Sequence, residues 1–238
     1  KNAIKKGAKI IVSDLNFQGL KNNVLYIKTN NARQLLSEVA SKVYKNKPKN
    51  LIAVTGTNGK SSIADFYYQI LDLNKKKVAS IGTLGIKTYL KNIEIKNTTL
   101  DPISLNDHLQ KIKKLNIDNV ILEASSHGLK QNRLNGLNFK TGIFTNLSHD
   151  HLDYHKSFKD YLKSKLLLFQ NLLKKNSNVI TDINIPQYKT IKNIAKKKHQ
   201  KIFTIGSKKS YLELTKHEYI DDKQFFKIKY KNKVYDII

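Results

Sequence analysis

Short apolar runs alternate with helical patterns along most of this 238-residue chain, and few architectures accommodate that rhythm. LIAVTG (51–56) precedes a helical pattern at 60–73. KVASIG (77–82) precedes a loop and a helix at 103–115, and NVILEAS (119–125) a short turn or helix. TGIFTN (141–146) precedes a helix at 158–174, and NVITDI (178–183) one at 187–197, before KIFTIG (201–206). Strands apolar on both faces and separated by helices predict a parallel sheet covered on both sides, a three-layer α/β central domain. Upstream, strands at 8–14 and 23–29 and an amphipathic helix at 31–44 lead into KNKPKN (45–50), read as a linker. At the other end KIKYKNKVYDII (227–238) reads as a β-hairpin turning at Lys-Asn.

In parallel sheets ligands gather at the carboxyl ends of strands, and the polar motifs fall there. GTNGKSS (56–62) joins the first central strand to its helix. Its glycines let backbone N–H groups approach phosphate oxygens, and the helix N-terminus adds positive potential. The usual G-x-x-x-x-G-K-[ST] would place its first glycine at 54, where Val54 stands; Gly56 supplies a shorter loop. Lys60 can reach terminal phosphates, and the Ser61 hydroxyl is a ligand type suited to Mg2+. Glu123, at a strand tip, is a second candidate Mg2+ ligand. SSHGLKQNR (125–133) packs polar groups into a turn and includes Arg133, one of two arginines in the chain. SHDHLDYHKS (148–157) holds three His and two Asp. Zinc is one reading of His149, His151 and His155; beside a phosphate loop the harder Mg2+ is the better match.

A net charge of +26 raises a nucleic-acid hypothesis. Only Arg33 and Arg133 are arginine, however, and the excess of Lys, Asn and Ile resembles a bias toward A/T-rich codons. A DNA-reading surface favours arginine's bidentate geometry, so the expected partner is a small anionic substrate, with neither nucleic acid nor membrane involved. There is no Cys, which excludes a disulfide scaffold and a Cys-ligated zinc site. No apolar run approaches the roughly 18 residues that would span a membrane. A cytoplasmic, monomeric protein is expected. The absence of Met leads to the expectation that the sequence is a piece of a longer one.

Taken in order, TGTNGKSS, NTT (97–99), EASSHGLKQNR, FTNLSHDHLDYH and DYLKSK resemble the Mur ligase family, most closely the branch that adds the third residue of the peptidoglycan stem peptide. In that family the loop begins at the equivalent of Gly56, which accounts for Val54. The resemblance implies ATP phosphates at Gly56, Thr57, Asn58, Gly59, Lys60, Ser61 and Ser62. One Mg2+ would lie on Ser61 and Glu123, with His151 near a second. Asn97, Thr98, Thr99, Ser125, Gln131 and Arg133 match positions that bind UDP-N-acetylmuramoyl-L-alanyl-D-glutamate. Lys165, unremarkable on physical grounds, matches a lysine that the family carbamylates to help position Mg2+. The implied reaction is ATP-dependent: an acyl phosphate of the dipeptide forms, and the amine of a diamino acid, meso-diaminopimelate being the commoner choice, displaces phosphate. Lysine addition, another step of the family and folylpolyglutamate synthesis are the alternatives, and the rival from a different class is a lysine-rich nucleic-acid-binding protein. Residues 1–47 would be the end of a UDP-sugar-binding domain and 48–238 the ATP-binding central domain. The family's C-terminal, amino-acid-binding domain is expected to be absent from these residues, so little ligase turnover is expected of them alone. Two departures stand out. GKSS replaces GKTT, and Thr181-Asp-Ile-Asn184 stands where an Asn-x-Asp-Asp-like segment is usual.

Overall fold

In the computed structural model, residues 2–148, 154–231 and 233–238 are described. The first part is a short helix α1 (Asn2–Lys5) and a three-stranded sheet of β1 (Ile10–Ser13), β2 (Gly19–Lys21) and β3 (Val24–Lys28), in the order β1-β3-β2. Helix α2 (Ala32–Val43) follows, its first turn capped by Asn31, whose side chain accepts from the Gln34 amide at 3.0 Å. Such a cap satisfies one of the amides a helix start leaves without a partner. The Lys47 ammonium donates to the carbonyls of Ser41 and Tyr44, both at 2.5 Å, so the C-terminus of α2 is closed from the linker.

The central sheet is built by β4 (Asn50–Thr55), α3 (Lys60–Leu73), β5 (Val78–Gly82), β6 (Gly85–Lys87), β7 (Asn92–Ile93), α4 (Pro102–Lys114), β8 (Asn119–Glu123), α5 (Ser126–Lys130), β9 (Phe139–Phe144), α6 (Phe158–Leu167), β10 (Leu173–Asp182), α7 (Tyr188–Lys197) and β11 (Lys201–Gly206). Three more strands, β12 (Leu212–Ile220), β13 (Lys223–Tyr230) and β14 (Lys233–Ile237), complete it. The order is β14-β13-β12-β11-β10-β9-β4-β8-β5-β6-β7. From β11 to β5 every pair is parallel. The β5–β6–β7 edge and the β12–β13–β14 edge are antiparallel, so the sheet is mixed where a parallel one is predicted. The expected hairpin forms, with Tyr230 opposite Lys233.

The parallel strands are apolar because helices cover both faces: all five residues of β5 are buried, and so are Val120–Glu123 of β8. The largest core cluster joins Leu51, Ile81, Leu105, Leu109, Leu122, Phe144 and Phe169. Strand β4 lies between β8 and β9 although the chain passes from β4 to β5 first, so the strand order reverses at β4. The carboxyl ends of β4, β8 and β9 therefore meet at the switch point where open α/β sheets hold ligands.

One boundary differs from expectation. The helix predicted over 158–174 stops at Leu167, a π-helical turn occupies Leu168–Leu172, and β10 starts directly at Leu173. Leu168, Phe169, Leu172 and Leu173 are all buried, so the chain changes from helix to strand against the core, with only Gln170 and Asn171 between them left partly or fully exposed. Gln200 Nε2 donates to the carbonyls of Phe169 (2.8 Å) and Leu173 (3.1 Å), serving groups that the interrupted helix leaves open.

Candidate functional site

The loop after β4 is shaped by two residues in the left-handed region, Gly56 (φ 148°) and Gly59 (φ 82°). Only glycine adopts such angles without steric cost. At Gly56 a Cβ would also collide with the Thr145 hydroxyl. The end of β9 clamps this loop. Thr57 N donates to Asn146 O at 3.0 Å, Asn58 N to Asn146 Oδ1 at 2.9 Å, and Thr145 Oγ1 to Asn58 O at 2.7 Å. Ser148 N donates to Thr57 Oγ1 at 3.0 Å, and the same hydroxyl lies 3.2 Å from Tyr161 OH. Gly59 is the N-cap of α3, with no side-chain cap of its own. The opening of the helix thus offers backbone N–H groups to an anion.

Two lysines converge on one carbonyl of this loop. Lys60 Nζ donates to Gly56 O at 3.0 Å and to Thr57 O at 2.6 Å; Lys165 Nζ donates to Gly56 O at 2.7 Å. Lys60 is half-buried, whereas Lys165 is only 1% exposed and sits 4.4 Å above the Tyr161 ring. Burying an ammonium is costly, and the carbonyl and the ring face offset part of that cost. Physical reading of the sequence gave no reason to select Lys165; its burial provides one.

Glu123, at the tip of β8, is 1% exposed. Its carboxylate accepts from Ser61 Oγ at 3.1 Å, Thr83 N at 2.8 Å and Thr83 Oγ1 at 3.3 Å. A Cβ on Gly82 would fall 2.1 Å from Glu123 Oε1, so the carboxylate occupies space that only glycine leaves open. Ser61 and Glu123 present hard oxygen donors beside the phosphate-type loop. That set suits Mg2+, which takes one or two carboxylates and completes its shell with phosphates and water. Among the described residues no group of three or more His, Cys, Asp or Glu could hold a metal. His149 and His151, on which the zinc and second-Mg2+ readings depend, lie outside the described residues together with Asp150 and Asp153.

Beside Glu123 the predicted substrate residues form one network. Thr99 Oγ1 donates to Glu123 O at 2.8 Å and accepts from Ser125 N at 2.9 Å. Ser125 caps α5, accepting from Gly128 N at 3.0 Å. Arg133 Nη1 donates to Thr99 O at 2.5 Å, and its Nε and Nη2 donate to Gln131 Oε1 at 3.0 and 2.7 Å. Gln131 Nε2 in turn donates to Tyr154 OH at 3.1 Å. Thr98 Oγ1 lies 3.1 Å from Thr83 Oγ1, while Asn97 is exposed on the rim of a cleft of about 240 Å³ that Gln131 and Arg133 also line.

His155 belongs to the support of this region. It is 1% exposed, with Nε2 3.0 Å from Ser126 Oγ. Its Nδ1 is 3.5 Å from Asp160 Oδ2, too far for a good hydrogen bond. Burial, reinforced by the Lys130 charge, pulls the imidazole below its ordinary pKa and outweighs Asp160, whose carboxylate is itself bound to Lys130 at 2.6 Å.

The structure gathers Gly56–Ser62, Glu123, Thr98, Thr99, Ser125, Gln131, Arg133 and Lys165 around the ends of three adjacent strands. Sequence reasoning missed Gly82, Thr83, Thr145, Asn146 and Tyr161. Gly82 carried a usable signal, a glycine closing an apolar strand; the others became visible only through tertiary contacts. The segment 181–184 covers the end of β10 and the turn after it, where Asp182 Oδ1 accepts from Asn184 N at 2.7 Å. Among the described residues no helix is long and apolar enough to cross a membrane.

Comparison with known proteins agrees with this geometry. Residues 54–237 match the model of the Mur ligase middle domain. A UDP-N-acetylmuramoyl-L-alanyl-D-glutamate–2,6-diaminopimelate ligase of Rickettsia montanensis is 39% identical over 220 residues, 91% of this chain and 45% of that protein. The protein of the same name from Agrobacterium fabrum is 32% identical over 237 residues, 100% of this chain and 48% of its own length. The chain thus spans about half the length of the curated relatives it matches. Among solved structures, one of a ligase of that name superposes with a TM-score of 0.86 at 27% identity, covering 99% of this chain and 48% of the other. An FPGS–AMPPCP complex shares the fold at a TM-score of 0.65 and 15% identity, over 85% of this chain and 56% of that one. With its middle-domain match running through nearly the whole central sheet, the chain belongs to the Mur ligase family.

Proposed function

We propose that this chain forms the ATP- and dipeptide-binding part of a ligase that adds meso-diaminopimelate to UDP-N-acetylmuramoyl-L-alanyl-D-glutamate in peptidoglycan synthesis. The observation that carries this reading is the junction between the loop at 56–62 and the Thr99–Ser125–Arg133 network, which meet at Glu123. A nucleotide on one side and a carboxylate substrate on the other would face each other across that residue.

In this reading the amides of the loop and of the first turn of α3 bind the ATP phosphates. Lys60 exchanges its carbonyl partners for phosphate oxygens and neutralises charge as it develops. Arg133, held by Thr99 O and Gln131, orients the dipeptide. Ser61 and Glu123 would hold Mg2+, which supplies charge neutralisation at the phosphates. Lys165, carbamylated by carbon dioxide, would add an anionic oxygen donor from inside the core. His151 is proposed from the family resemblance alone. The D-glutamyl carboxylate attacks the γ-phosphorus and ADP departs; the amine of the diamino acid then attacks the acyl carbon, phosphate leaves and the amine loses a proton. Positioning two reactants accounts for much of the acceleration in such a transfer.

Equilibrium binding to the chain, with each ligand measured separately, tests the reading. Mg2+–AMPPCP and the UDP-dipeptide should both bind. Lys60→Met should weaken the nucleotide alone, and Arg133→Ala the dipeptide alone. Binding of neither ligand by the folded chain, or binding of a folate in place of the dipeptide, contradicts the assignment.

A further inference from the structure

The only two arginines among the chain's 44 basic residues, Arg33 and Arg133, line the same cleft of about 240 Å³. They reach it from separate parts of the fold: Arg33 from the first turn of α2, and Arg133 from the turn after α5. In a chain that uses lysine almost everywhere else, arginine marks places where a planar fork has work that a point charge does not do. Arg133 is oriented beforehand by Thr99 O and Gln131. The Arg33 guanidinium has no hydrogen bond or ion pair among the described residues and is exposed at the cleft. The acid on the same rim, Asp101, is not its partner. Its Oδ1 accepts from the amides of Ile103 and Ser104, both at 3.0 Å, and caps α4. Asn97 and Gln131 add amide groups to the wall.

We propose that Arg33 is a substrate-specificity residue that closes a two-arginine clamp, opposite Arg133, on an oxyanion of the substrate, either a carboxylate or a phosphate. The clamp rests on the dipeptide reading given above. Two forks from separate elements define the direction of a planar or tetrahedral oxyanion better than one does. Because Arg33 stands on the segment before the linker, the clamp also makes substrate affinity depend on how α2 is seated against the central domain. A purely structural role, tethering α2 near α4, would show itself in stability and leave affinity unchanged.

Calorimetric titration of the 238-residue chain distinguishes these cases, with UDP-N-acetylmuramoyl-L-alanyl-D-glutamate, UDP and L-alanyl-D-glutamate as probes. Arg33→Ala and Arg33→Lys should each weaken the UDP-dipeptide by about tenfold or more, the loss expected for a charge-assisted pair. Melting temperature and Mg2+–AMPPCP affinity should stay at the wild-type value. A parallel loss with UDP assigns the oxyanion to the diphosphate; a loss confined to ligands that carry the peptide assigns it to a carboxylate. Wild-type affinity in Arg33→Ala, or full retention in Arg33→Lys, overturns the clamp while leaving the dipeptide reading intact. Failure of the wild-type chain to bind any of the three probes, with Mg2+–AMPPCP still bound, overturns the dipeptide reading and the clamp with it.

Discussion

Ser61 Oγ donates to Glu123 Oε2 at 3.1 Å, joining the first turn after the phosphate-type loop to the tip of the neighbouring strand β8. The pair places a hydroxyl and a carboxylate together at the head of α3. Glu123→Gln preserves the shape and removes the charge. Affinity for Mg2+–AMPPCP should fall by about ten- to a hundredfold, as for loss of a charged partner. Affinity for the nucleotide in EDTA should not change. Equal losses with and without Mg2+ would remove Glu123 from the metal site.

Gly82 lets that carboxylate sit where it does. A Cβ there would meet Glu123 Oε1 at 2.1 Å and Cδ at 2.6 Å. Gly82→Ala should lower stability by about 1–3 kcal/mol, the usual cost of overpacking. It should also weaken Mg2+–nucleotide binding, because Glu123 must turn away from Ser61. Urea unfolding together with nucleotide titration checks both effects.

The α/β class and most helix positions were legible in the sequence because buried parallel strands and amphipathic helices leave different periodicities. Helix α3 and the loop before it were placed correctly from GTNGKSS together with the helical pattern at 60–73. The β13–β14 hairpin was foreseen, but the β6–β7 edge and the strand β12 were not, since β6 and β7 are too short to show a period and β12 is largely exposed. The loop and Glu123 could be chosen on chemical grounds. Lys165 could not, because one lysine among many looks alike until burial separates it. Gly82, Tyr161 and the Thr145–Asn146 clamp act through neighbours distant in the chain, which no local pattern encodes.

Lys165 is fully enclosed, between Gly56 O and the Tyr161 ring. Lys165→Met keeps a similar volume and removes the amine, so Mg2+–AMPPCP affinity should drop about tenfold or more, as for loss of a charged partner. With 13C-bicarbonate, the wild-type chain should give a carbamate carbonyl resonance that Lys165→Met lacks. Identical spectra for the two proteins would rule out carbamylation at this position.

His155 predicts a pH dependence of stability. Its folded pKa lies below the ordinary value of 6.5 because burial and the Lys130 charge disfavour the imidazolium. As pH falls below about 6.5, the unfolded chain takes up a proton that the folded chain refuses, so stability declines. His108 is shifted in the same direction and contributes its own share. His155→Gln should flatten the decline, leaving the part due to His108. Unfolding free energies across this range test it, and an unchanged slope in the variant would contradict the role of burial.

The central claim is that Gly56–Ser62 and Glu123 form one Mg2+–nucleotide site, and a crystal structure of the chain grown with Mg2+ and AMPPCP tests it most directly. The phosphates should lie against the amides of the loop and the start of α3, within reach of Lys60 Nζ, with Mg2+ about 2.0–2.1 Å from Ser61 Oγ. Nucleotide bound away from this loop, or at the loop with the metal not touching Ser61 or Glu123, would contradict the account.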